Sequence, residues 1–129
     1  MIVLDTSALI FWTLDPERLS PKMKQAIEQS ERILISSISL WEIALKVKRQ
    51  KLEIPLPIHE YVDRLRRLGR LEILAVDIQT WLDNVDLPWD HRDPADRTIV
   101  ALAVRNNCPL ITSDEMITEI SPRQFCNLH

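Results

Sequence analysis

The chain has 129 residues, of which 46% are hydrophobic and 27% charged, the size and balance of one soluble domain able to bury a core. Gly69 is its sole glycine, which excludes a glycine-rich phosphate loop, and no apolar run approaches the roughly 20 residues that span a bilayer. The formal charge of −3 is unevenly spread: residues 46–70 hold eight basic residues against three acidic ones, and the remainder holds eight basic against sixteen acidic.

In chain order, Ile2 to Leu4 reads as a buried strand, and Leu9 to Leu14 as a short apolar helix stopped before Pro16. Ser20-Pro21 supplies an N-cap and a first-turn proline for a helix to about Ser30. Ile33 to Ser36 is the second strand. Ser39 to Gln50 is helical, with Leu40, Ile43, Ala44 and Val47 on one face. After Pro55 and Pro57, an apolar stripe of Ile58, Tyr61, Val62, Leu65 and Leu68 predicts a helix, with Gly69 as its C-terminal cap. Leu71 to Val76 is the third strand, and Asp77 caps a helix from Ile78 to about Val85. Asp93-Pro94 opens a helix with Ile99, Val100, Leu102 and Ala103 inward. Leu110 to Thr112 is the fourth strand. A short helix after Ser113 and an edge strand over Gln124 to Asn127 complete the reading.

Alternating strands and helices imply an α/β fold, a mainly parallel sheet with helices on both faces and right-handed crossovers. Such sheets bind ligands beyond the carboxyl ends of their strands, at a switch in strand order. Asp5 follows the first strand, Glu42 lies early in the helix after the second, Asp96 opens the helix before the last, and Asp114 follows that last strand. Four carboxylates on one sheet edge repel one another unless a cation holds them. Mg²⁺ and Mn²⁺ favour carboxylate oxygens, and the chemistry this suggests is phosphodiester hydrolysis. Each acid also has a structural alternative. Asp5, Asp93 and Asp114 suit helix N-caps, Asp96 suits a first helical turn, and Ser39-Leu40-Trp41-Glu42 matches a capping box.

Other groups point elsewhere. Cys108 and Cys126 form no C-x-x-C pair, and His59, His91 and His129 lack zinc-ligand spacing. Trp12, Trp41, Trp81 and Trp89 are not interleaved with the basic run, so they read as core or groove residues rather than base-stacking platforms. The start of the chain shows no signal-peptide pattern, and a cytoplasmic protein without membrane contact is expected.

The strings around the acids resemble those of PIN-domain ribonucleases, in particular the VapC toxins of toxin–antitoxin pairs. The resemblance rests on Val3-Leu4-Asp5-Thr6-Ser7-Ala8-Leu9-Ile10, on Ser37 to Lys46 around Glu42, on His91-Arg92-Asp93-Pro94-Ala95-Asp96-Arg97, and on Leu110-Ile111-Thr112-Ser113-Asp114. It covers essentially the whole chain, 1–129, as one domain. Ala95 replaces a usual aromatic, and Gln50 a usual glycine. The resemblance implies a PIN-like three-layer α/β/α sandwich and Mg²⁺- or Mn²⁺-dependent endoribonuclease activity. It places the catalytic acids at Asp5, Glu42, Asp96 and Asp114, with Asp5 and Asp96 as direct metal ligands. It also implies an RNA substrate, a small cognate antitoxin and a homodimer. Phe11, Trp12, Leu14 and Leu40 exceed what a small two-sided sheet needs, so they read either as part of an antitoxin groove or as ordinary core, and Arg97 is a candidate phosphate contact or outward salt bridge.

Two rivals remain. An aspartyl-phosphate phosphatase would want an aspartate two residues after Asp5, where Ser7 stands, and a receiver domain would want a late lysine, whereas none follows Lys51. The non-enzymatic rival is an acidic α/β binding module whose acids only cap helices.

Overall fold

A computed structural model describes residues 1–90, 93–112 and 116–117. Its elements are β1 (Ile2–Leu4), α1 (Thr6–Leu14), α2 (Pro21–Gln29), β2 (Ile33–Ser36), α3 (Ser37–Lys48), α4 (Ile58–Arg66), β3 (Leu71–Leu74), α5 (Ile78–Asp86), α6 (Pro94–Asn106), β4 (Leu110–Ile111) and β5 (Met116–Ile117). A 3₁₀ turn at Pro16–Arg18 separates α1 from α2. The sheet order is β3-β2-β1-β4-β5. The first four strands are mutually parallel, and β5 joins β4 antiparallel, a pairing the sequence pattern did not suggest. Where a short helix is expected after Ser113, Met116–Ile117 is strand, and the rest of that stretch and Gln124 to Asn127 lie outside the described residues.

Period-two alternation divides the buried strand residues between two cores. Ile2, Leu4, Ile33, Ile35 and Ile111 face one side, packed with Ala8, Leu9, Met23, Ile27, Ile43, Tyr61 and Leu65 from α1 to α4. Val3, Leu34 and Leu110 face the other, packed with Leu87, Trp89 and the apolar stripe of α6. This is the three-layer sandwich expected from the motifs. The chain runs outward from β1 to β2 and β3, then returns to place β4 on the other flank of β1. The switch in strand order therefore falls at the carboxyl end of β1, directly before Asp5.

Local chemistry explains most helix ends. Ser20, Asp77 and Asp93 cap α2, α5 and α6 as expected, each accepting a first-turn amide. The expected capping box at Ser39 to Glu42 does not form. The chain passes from β2 into α3 without a loop, and Ser36 is the cap, accepting from the Ile38 amide at 3.2 Å. Gly69 does not cap α4 either, since that role falls to Arg67 and no glycine has positive φ. Left-handed residues instead close α3, at Gln50 with φ 58°, and α6, at Asn107 with φ 48°.

α5 is inverted relative to an ordinary amphipathic helix. Its polar Thr80 and Asn84 are buried, while Ile78, Trp81, Leu82 and Val85 are 79%, 45%, 54% and 75% exposed. Trp41 of α3, 59% exposed, stands across a groove lined by Ile38, Val76 and Pro94. By contrast Phe11, Trp12, Leu14 and Leu40 are half-buried against the first core. The surplus apolar surface is therefore on α5 and Trp41, not on the N-terminal helices.

Candidate functional site at the strand ends

Asp5 is held from two sides. Its amide donates to the Ile111 carbonyl at 3.0 Å, extending the β1–β4 ladder, and its side chain caps α1 by accepting from the Ala8 amide at 2.8 Å. Cap and site thus coincide at this residue. Burial, opposed by the Ala8 hydrogen bond and reinforced by the charges of Asp96 and Glu42, pushes its carboxyl up to about 6.

Glu42 lies on the second turn of α3, half-buried. Burial raises its carboxyl above the usual range. The Thr6 hydroxyl, donating to Oε1, opposes this, whereas the charges of Asp93 and Asp96 add to it. Lys46, one turn on, offsets them in part. Thr6 in turn bonds to Ser39, with the two hydroxyl oxygens 2.9 Å apart and both side chains buried. Neither Thr6 nor Ser39 was singled out as functional from the sequence. The available signal was the adjacency of Thr6 to Asp5 and the three-residue spacing from Ser39 to Glu42, which places both on one helix face.

α6 runs back against the strands, so its N-terminus lies at the same edge. Asp93 caps it, accepting from the Ala95 and Asp96 amides at 2.9 and 3.0 Å, and half-buried Asp96 sits in its first turn. Arg97, next to Asp96, turns its guanidinium toward the end of α5. Its guanidinium donates to the carbonyls of Asn84, Leu87 and Trp89, tying the end of α5 and the following loop to α6. Arg70 is similarly occupied, donating to the carbonyls of Ile27, Glu28 and Ser30 at the end of α2.

The structure therefore brings Asp5, Glu42 and Asp96 within electrostatic reach of one another, with Asp93 beside them. Asp114 lies outside the described residues, two positions past Thr112. Among the described residues, no three Asp, Glu, His or Cys side chains converge on a ready-made ion position. The donor set still fits a hard divalent cation. It consists of carboxylate oxygens, and two of the three resist ionisation chiefly because they are buried, with their negative neighbours adding to the effect.

A family model of the PIN domain matches residues 2–121. The chain belongs to the PIN domain family. Among curated proteins it is similar to "Ribonuclease VapC22" of Mycobacterium tuberculosis (strain ATCC 25618 / H37Rv), 26% identical over 117 residues, which are 90% of this chain and 88% of that protein. The PIN assignment accounts for the sheet order, the two helical layers and the position of the acids at the switch point.

Proposed function

We propose that this PIN domain, spanning 1–129, is a divalent-metal-dependent endoribonuclease of the VapC toxin type. The observation that carries the reading is the convergence of Asp5, Glu42 and Asp96 at the carboxyl end of β1, with Asp5 pushed up to about 6. An acidic cluster used only for helix capping has no need to be buried and brought together in this way. The similarity to a named ribonuclease supplies the substrate class.

In this reading Asp5 and Asp96 hold the ion, and Glu42 with Asp114 completes the set or holds its waters. Bound Mg²⁺ or Mn²⁺ supplies the positive charge that activates water and offsets charge growing on the phosphate oxygens. The chain's own residues hold that position: the β4 ladder and the Ala8 amide fix Asp5, Thr6 fixes one oxygen of Glu42, and Asp93 fixes the helix turn bearing Asp96. The basic residues of α3 and α4 give a polyanion a favourable approach. Arg64 contributes while paired to Glu60 at 3.0 Å on an exposed face.

A cytoplasmic toxin of this type works with a small antitoxin and as a homodimer. No helix among the described residues is long and apolar enough to cross a membrane. We assign the outer face of α5 to the dimer. Ile78, Trp81, Leu82 and Val85 follow an i, i+3, i+4, i+7 stripe, which can meet its own copy about a twofold axis. With Trp41, the exposed apolar area is on the order of 600 Å², near the roughly 800 Å² per partner of a standard interface. Asp77, Asp83 and Asp86 frame that stripe and oppose RNA there.

The deciding experiment is RNA cleavage by the purified protein with Mg²⁺ or Mn²⁺, with EDTA, and with Asp96→Asn. Cleavage that needs the metal and Asp96 is expected. Cleavage surviving both EDTA and the substitution overturns the reading.

A further inference from the structure

Thr6 and Ser39 are buried hydroxyls, 6% and 0% exposed, at the contact between α1 and α3. Nothing in packing alone asks for them, since valine and alanine fill such positions without a polar group to satisfy. A buried hydroxyl costs free energy unless its hydrogen bonds are made. Here they are made to each other and to Glu42.

The direction of this chain follows from proton counting. Thr6 has one hydroxyl proton and two partners. An ionised carboxylate only accepts, so Thr6 gives its proton to Oε1 of Glu42. The Ser39 hydroxyl, 2.9 Å away, must then donate to Thr6. Hydrogen bonds linked in series polarise one another, and a charged acceptor strengthens the last of them. Glu42 is a long, half-buried side chain that otherwise keeps several rotamers open. Thr6 is also covalently next to Asp5, so the same link fixes the relative placement of two acids carried by different helices.

We propose that Thr6 and Ser39 are positioning residues for the metal site: their hydroxyl chain holds Glu42 by one oxygen and leaves the other for the cation and its waters. The proposal rests on the metal-nuclease reading and concerns how its acids are held rather than which they are.

The test compares Thr6→Val, Thr6→Ser, Ser39→Ala, Glu42→Gln and the double variant Thr6→Val/Glu42→Gln. Two measurements are made: Mn²⁺ binding to the free protein by calorimetry, and the kcat and KM of RNA cleavage. Thr6→Val is expected to weaken Mn²⁺ binding several-fold and to lower kcat roughly 10- to 100-fold, with KM for RNA changed less than about twofold. Thr6→Ser restores most of both. Ser39→Ala shows a smaller loss of the same kind. Because Thr6 acts through Glu42, adding Thr6→Val to Glu42→Gln costs less than about twofold more. A packing role would instead raise KM, lower stability and persist in the double variant. Wild-type Mn²⁺ affinity and kcat in Thr6→Val overturn the proposal, as does a full additional loss in the double variant. If Thr6→Val does not fold, Ser39→Ala decides by the same two readouts. A wild type that binds Mn²⁺ without cleaving RNA overturns the ribonuclease reading alone, and calorimetry still decides the role of Thr6. A wild type that binds no Mn²⁺ overturns both.

Discussion

The strand-end edge and the outer face of α5 are the two surfaces of this molecule that folding leaves unfavourable, in opposite ways. At the edge, Asp5, Glu42 and Asp96 crowd negative charge into a partly desolvated space. On α5, a stripe of Ile78, Trp81, Leu82 and Val85 faces outward while Thr80 and Asn84 are turned in. The first surface asks for a small cation, and the second for another apolar surface. The difference lies in how each is held. The edge is pinned by main-chain ladders and helix caps, so its charges cannot spread apart. The α5 face is held from behind: Asn84 donates to Pro94 and Thr98, and Arg97 gathers the carbonyls at the helix end. Polar pairing inward is what leaves the apolar side exposed.

The largest expected effect breaks the acidic edge. Asp5→Asn or Asp96→Asn should lower RNA cleavage on the order of a thousandfold, the scale of losing a metal's charge stabilisation, about 4 kcal/mol. Combining the two should add little, because cooperating groups are strongly non-additive. Single-turnover rates for the two single variants and the double measure this, and independent, multiplying losses would show that the acids do not form one site.

The same edge should weaken the metal-free fold as pH rises. Asp5 titrates near 3.8 when unfolded and at about 6 when folded. Its folded pKa is raised, so the protonated form is the one the fold favours. That favourable contribution is complete below about pH 4 and is lost as pH climbs through 6. The cost at neutral pH is about 2 kcal/mol after allowing for solvent screening of a half-buried group. Asp5→Asn keeps the helix cap, because asparagine caps as well as aspartate. Chemical denaturation in EDTA should therefore find this variant more stable than wild type at pH 7.5 and equal to it near pH 4. Equal stability at both pH values would remove the claim of crowding.

The α5 face should respond in the other currency, assembly rather than catalysis. Ile78→Asp or Leu82→Asp should convert a dimer to monomers in sedimentation, with the monomer's own stability changed by less than about 0.5 kcal/mol because both sites are exposed. A wild type that sediments as a monomer would leave this face without the partner proposed for it.

How much of each surface could be read in advance follows from the range of its causes. Strand limits at Ile33–Ser36 and the caps at Ser20, Asp77 and Asp93 depend on neighbours within four residues, and they were legible. Alternation alone brings Asp5, Glu42 and Asp96 together, because helices following or preceding parallel strands begin on one edge. The face of α5 was not legible. An i, i+3, i+4, i+7 apolar stripe ordinarily marks the inward side, and only the distant Pro94, Thr98 and Arg97 reveal that Asn84 is the anchor. The start of α3 misled for a related reason. Ser36 and Ser39 are both capable caps, and the choice depends on β2 running straight into the helix. Arg97 stood among charged residues and gave no sign that main-chain carbonyls would claim it.

The smallest effect supplies a control lying in neither surface. Gln50 ends α3 with φ 58°, its amide donating to the Val47 carbonyl at 3.1 Å and the Lys51 amide to Lys46 at 2.9 Å. These are the paired bonds of a Schellman cap, which needs a left-handed residue at this position. For a residue with a Cβ that conformation costs roughly 1 kcal/mol, and glycine avoids it at some cost in unfolded-chain entropy. Gln50→Gly should therefore stabilise the protein by about 0.5 kcal/mol. Asn107 closes α6 in the same conformation, φ 48°, and asparagine tolerates it better, so Asn107→Gly should gain less. Thermal melts of the two variants should rank in that order, while Mn²⁺ affinity and oligomeric state stay as in wild type. A Gln50→Gly protein with altered Mn²⁺ affinity would show that the end of α3 is coupled to Glu42, and that the acidic edge is less rigidly pinned than its hydrogen bonds imply.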